Sequence, residues 1–206
     1  GEPSRETVAA VTQLLRGQVH VVEPRKMWPG GAFGSRGRIA AEEMHAPGRA
    51  LVYADAPEWR ETVAAMFSRD AAAPEEVKDA CVRLLSGWRD DWPARPEVVV
   101  DLAAAGFPTM TRDVADHLAA VGRLGRAGLQ VAAGPDAEAV REMGSAEEAA
   151  MWRDRLAVDD PDAVGGRCVL LVVDATSSLW PVTVASALLR RSGAAVVLPL
   201  VVHRRP

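Results

Sequence analysis

Seven residues from Cys168 to Asp174 (CVLLVVD) form an unbroken apolar run ending in a carboxylate, and Thr176, Ser177 and Ser178 follow it directly. A helical pattern then runs from Val182 to Arg191. In open sheets covered by helices, ligands collect beyond the carboxyl ends of the strands, where helix N-termini offer free N–H groups and a positive dipole. Asp174, Thr176, Ser177 and Ser178 are therefore the candidate phosphate-binding residues. A purely structural account competes with this one. Ser177 and Ser178 would cap the helix beginning near Pro181, and Asp174 would bond to nearby backbone; for Asp174 itself that is the better account.

Other chemistry finds little support. His20, His45, His117 and His203 are scattered, and no Ser, His and Asp constellation or carboxylate pair sits in a recognisable motif, so no catalytic residue is assigned. Cys81 and Cys168 lie far apart, one in a helical pattern and one entering a strand, which fits buried thiols rather than a disulfide framework or a zinc site. No metal and no cofactor is expected.

The elements that must position the candidates follow from periodicity. Thr7 to Arg16 carries apolar residues at 8, 11, 14 and 15, a helical spacing, with Gly17 to stop it. Gln18 to Glu23 reads as a strand ended by Pro24. From Arg25 to Gly48 recurrent glycine and proline forbid a long regular element. Ala50 to Tyr53 resumes a strand, and Pro57 to Phe67 and Ala73 to Trp88 are helical. Trp92, Pro93 and Pro96 mark the best internal boundary. Beyond it strands alternate with helices: EVVVDL, Met110 to Gly122, LQVAA, Glu147 to Leu156, then CVLLVVD, the 182–191 helix and AAVVLPLVV. Short apolar strands separated by amphipathic helices describe an α/β fold with a parallel sheet flanked by helices. The chain divides into an α/β extension over 1–93 and a core over 94–206, unless the two merge into one compact domain.

The 206 residues are 49% hydrophobic and 25% charged, ordinary for a globular protein. No apolar run reaches the roughly 18 residues that span a bilayer, and the polar start lacks signal-peptide order. The expectation is a cytoplasmic protein without membrane contact. A net charge of -4 argues against a surface that grips nucleic acid all over.

The segment from Val169, VLLVVDATSSLWPVTVASALLRR, resembles the signature of the phosphoribosyltransferases: a hydrophobic strand, two adjacent acids that bind ribose hydroxyls, a short loop rich in Thr, Ser and Gly that wraps a 5-phosphate, then a helix. Here Asp174 keeps the second acid, while Val173 replaces the first. Leu179 stands at the glycine position and Pro181 at a hydroxyl position. Glycine lets backbone N–H groups approach phosphate closely and proline removes an N–H, so the resemblance implies a phosphoribosyltransferase-like fold with a loop unfit for phosphoribosyl transfer.

A narrower resemblance covers nearly the whole chain. EPRKMWP at Glu23 to Pro29, GRI at Gly37 to Ile39 and PGRAL at Pro47 to Leu51, followed by Arg95 to Gly125 and GSAEEAAMW at Gly144 to Trp152, are similar in order to the C-terminal region of actinobacterial-type RecQ-like ATP-dependent DNA helicases. No GxxxxGKS/T phosphate loop occurs, so the helicase engine is absent from these residues. The chain would be an excised C-terminal piece or a stand-alone relative. Where that family shows Ser and Arg after a strand, Leu102, Ala103, Ala104 and Ala105 stand here, and their side chains cannot bind phosphate.

Three roles follow. The first is a non-catalytic accessory domain that engages DNA or docks on the helicase core. Between residues 16 and 49 six basic residues face three acids, and Arg25, Lys26, Arg36 and Arg38 could meet phosphates while Trp28 stacks on a base. Equally, Arg25 and Lys26 could pair with acids of the fold and Trp28 plug the core. The second is a protein-interaction scaffold for DNA repair, docked through the nine acids and three arginines between Asp136 and Asp162. The third is a degenerate phosphoribosyltransferase or nucleotide sensor using Asp174 to Ser178.

Overall fold

The computed structural model describes residues 3–30 and 37–206. Its spine is β7 (Cys168–Thr176), nine residues long and buried throughout. On one side β7 pairs in parallel with β8 (Val196–Arg204), and on the other with β3 (Val98–Leu102). Outward from β8 come β2 (Gly48–Tyr53), also parallel, and β1 (His20–Val22), antiparallel to β2. Beyond β3 lies β4 (Gly125–Ala127), so the six-stranded order is β1-β2-β8-β7-β3-β4.

Alternation along β7 explains why its sequence shows no polar face. Val169, Leu171 and Val173 join one hydrophobic cluster, whereas Cys168, Leu170 and Val172 join the other. The first cluster holds α6 (Ser145–Arg155), through Ala149 and Trp152, and α8 (Trp180–Arg191), through Val182, Ala185 and Leu189. The second holds α2 (Arg60–Met66), α3 (Glu75–Trp88) and α4 (Pro108–Gly122). With both faces covered, the central stretches of β3, β7 and β8 are continuously apolar, as the parallel-sheet reading requires, and polar residues come toward their carboxyl ends.

The expectation of a parallel sheet flanked by helices holds. β1 and β2, which precede Pro93, are strands of the same sheet as the later segment, and both clusters draw on residues from before and after that proline. One placement differs from expectation. LQVAA contributes β5 (Leu129–Val131), which leaves the main sheet and pairs antiparallel with β6 (Leu156–Val158). The strand beside β3 is instead the short Gly-Arg-Ala of β4. Its three residues carry no strand pattern, and Arg126 fastens it by donating to the Val99 carbonyl and to Asp101 and Asp116. Among the described residues no helix is long and apolar enough to cross a membrane.

Pro199 lies inside β8, an unusual place because proline cannot donate to the ladder. Gly48 of β2 fits against it: a Cβ at Gly48 would stand 2.5 Å from the Pro199 carbonyl oxygen and 3.1 Å from its Cβ. Backbone cannot yield as a flexible side chain can, so Gly48→Ala should force β2 from β8 and destabilise the chain by about 1–3 kcal/mol in chemical denaturation. An unchanged midpoint would show that β2 shifts freely.

Candidate functional site

Asp174 lies near the carboxyl end of β7 and is wholly buried. Its Oδ1 accepts from the Ala175 N–H at 2.8 Å and the Ala105 N–H at 3.0 Å, and its Oδ2 accepts from the N–H groups of Ala105 and Phe107, each at 3.1 Å. Two of these three donors belong to the turn between β3 and α4. Burial, the largest influence, pushes the carboxyl up from its ordinary 3.8 to about 6; the three N–H groups and the charge of Arg205 pull it back. The carboxylate thus ties two strand ends together and offers no free face to a ribose.

The hydroxyls behind it are engaged in the same way. Thr176 Oγ1 accepts from the Leu179 N–H at 3.3 Å. Ser178 Oγ accepts from the N–H of Trp180, the first residue of α8, at 3.1 Å and donates to Glu148 Oε1 at 2.8 Å. Glu148, itself buried, also accepts from the Trp152 indole at 3.4 Å. Ser177 alone of the three makes no hydrogen bond to a described residue, and it lines a cavity of about 150 Å³. Leu179 adopts φ 64°, ψ 3°, the left-handed conformation that suits glycine and costs a residue with a Cβ roughly 1 kcal/mol. The turn thus holds a leucine in a glycine's conformation.

Arg25 reaches this turn from the N-terminal segment. It donates to the Ser178 carbonyl and stacks 4.0 Å from the centroid of the Trp180 ring. Its burial, and next the nearby charge of Arg204, hold its pKa below the ordinary arginine value. Trp28 is 9% exposed and packs in the first cluster, leaving no ring face for a base. Met27 and Arg38 form an antiparallel bridge, and Ile39 N–H donates to the Lys26 carbonyl at 2.9 Å. The resulting ribbon turns Arg25 and Trp28 inward and leaves Lys26 and Arg38 exposed. Arg36 lies outside the described residues. The four described candidates for nucleic-acid contact are therefore not gathered on one surface.

Two residues that periodicity did not single out line the cleft beyond Asp174. Arg141, on α5 (Ala137–Glu142), and Arg205, just past β8, border both the 150 Å³ cavity and an adjoining one of about 540 Å³. Each lies near enough to the other for the Arg141 charge to press down the pKa of Arg205, after the larger effect of burial. Arg205 also covers the Phe67 ring at 5.0 Å. The signal available in sequence was positional: a basic residue directly after a central parallel strand falls at the ligand end of the sheet.

No protein-family profile matches the sequence, and no curated protein matches it. Solved structures do. A hypoxanthine phosphoribosyltransferase from Trypanosoma cruzi shares 14% identity over 62% of this chain and 62% of its own, with a TM-score of 0.41. One from Staphylococcus aureus shares 13% over 68% and 71%, TM-score 0.41. Adenine phosphoribosyltransferase from Leishmania donovani shares 16% over 93% and 66%, TM-score 0.43. The chain spans less than two thirds of the length of the first of these. Likenesses at such identities and TM-scores carry no argument about chemistry, and the parallel sheet stands on the pairings given above.

Asp174 gives the fold a pH signature. A carboxyl whose folded pKa is raised binds its proton more tightly folded than unfolded. Its contribution is therefore fully present below the unfolded value of 3.8 and is lost as pH rises through about 6. A shift of this size corresponds to about 3 kcal/mol at most. Asp174→Asn should flatten that part of the profile in denaturant titrations across the window. A profile identical to that of the parent would mean that Asp174 does not titrate there.

Proposed function

We propose that this chain is a non-catalytic module of phosphoribosyltransferase-like fold that serves a RecQ-like ATP-dependent DNA helicase as an accessory domain, docking on the helicase core. One observation carries the non-catalytic part: the only acid kept from the ribose-binding pair, Asp174, is saturated by the backbone N–H groups of Ala105, Phe107 and Ala175. Leu179 in a left-handed conformation at the loop's glycine position supports the same descent. Docking is favoured over direct DNA engagement because Arg25 and Trp28 are taken up by the fold, leaving Lys26 and Arg38 as the exposed pair. The acid-rich stretch from Asp136 to Asp162 supplies charge for a basic partner surface.

The test is co-elution. Mixed at low salt with the ATP-dependent core of a RecQ-like helicase, the chain should elute with it, and a labelled 3′-tailed duplex should show no salt-sensitive binding to the chain alone. Failure to associate with the core defeats the docking role. A steep salt slope removed by Lys26→Ala with Arg38→Ala would restore DNA as the partner.

A second reading, a nucleotide- or phosphate-sensing remnant, is favoured by Arg141 and Arg205, which both line the cleft, the second of them beside the buried Asp174. Phosphoribosyl pyrophosphate at millimolar concentration should then raise the melting temperature, by linkage to the native state, and Arg141→Ala should cancel the rise. No shift in the parent chain disposes of this reading.

A further inference from the structure

At the opposite end of the parallel strands from Asp174, a groove opens between α3 and the last turns of α4, with a volume of about 270 Å³. Its accessible lining is largely apolar: Val82, Leu85 and Leu124 are half-buried, with Leu118 and Leu170 closed beneath them. Val121, on the α4 rim, is 56% exposed, a large hydrophobic side chain left without cover. Trp92 lines the wall, and its indole N–H is buried without an acceptor. A lone buried donor of this kind costs about 1–3 kcal/mol.

Charge at the groove has one sign. Arg89 and Arg95 both line it, none of its twelve lining residues is acidic, and neither guanidinium forms an ion pair with a described residue. The nearby Asp91 is already held by Arg49 at 2.8 Å. An apolar lining, an uncovered valine and two arginines without ion pairs all call for one kind of occupant. Its body must be apolar and its head must be an anion that accepts hydrogen bonds. The volume sits just under the roughly 300 Å³ at which small-molecule sites begin, which suits a compact ring system rather than a long chain.

We propose that this groove is a binding site for a small apolar carboxylate, with the ring system on Leu85, Val121 and Leu124 and the carboxylate between Arg89 and Arg95. Bidentate arginine contacts orient a planar carboxylate, and water exclusion by the apolar lining strengthens them. This site lies away from Asp174 and does not depend on the role proposed above.

The probe is a naphthalene carboxylate, titrated into the full chain by calorimetry and by saturation-transfer NMR. Saturable binding is expected, weakened by about tenfold or more in Arg89→Ala with Arg95→Ala, and weakened likewise by Val121→Asp. All three residues are exposed, so the variants should unfold at the parent's denaturant midpoint. The neutral naphthalene carboxamide should bind at least as poorly as the carboxylate binds the double variant. Equal binding of acid and amide, unchanged affinity in the double variant, or no saturable binding at millimolar ligand would each overturn the assignment.

Discussion

A carboxylate sealed inside a protein must find donors, and Asp174 finds them in three backbone N–H groups from two different strand ends. Removing those donors would leave an ionised group in an apolar interior at a cost of several kcal/mol. The turn after β3 is thereby obliged to lie against the end of β7. With it comes the start of α4, whose first turn is further anchored by Asp70 accepting from Thr109 and Met110. The cleft is shaped by this constraint, since its floor of Ala104 and Ala105 is the backbone that serves the buried acid.

The same economy of polar groups runs through the turn before α8. Thr176 and Ser178 satisfy N–H groups at the helix start, Ser178 links that start to Glu148 on α6, and Arg25 covers the Ser178 carbonyl from the N-terminal side. Such a network is rigid because every member answers to another. A turn that wraps a ligand keeps its donors free until the ligand arrives, whereas this one has closed on itself. The cationic lining of the cleft comes from Arg141 and Arg205, on elements outside the turn.

Much of this architecture was legible because burial on two faces writes itself plainly: CVLLVVD and AAVVLPLVV could be little other than central strands, and they are β7 and β8. The structural account of Asp174 was also within reach, since a lone acid ending an apolar run needs local donors. What stayed hidden depends on contacts distant in sequence. Ala105 was discounted on its side chain, yet its N–H is what matters. For Arg25 the sequence left open a phosphate contact or an ion pair with an acid of the fold, and offered neither the Ser178 carbonyl nor the Trp180 ring, since the first is 153 residues away. β4 is held by the bonds of Arg126 rather than by a hydrophobic pattern, so alternation favoured the neighbouring LQVAA instead.

β8 follows in sequence every strand it pairs with, and it alone joins β2 to the rest of the sheet, Arg49 lying opposite Leu200. During synthesis β2 and β7 therefore each wait with one edge unpaired until β8 has left the ribosome. Pairings of such long sequence separation close slowly, and exposed apolar edges invite association with other chains in the interval. Closure of the six-stranded sheet consequently waits on its last strand, and the interval before β8 emerges is when the chain is most exposed to association.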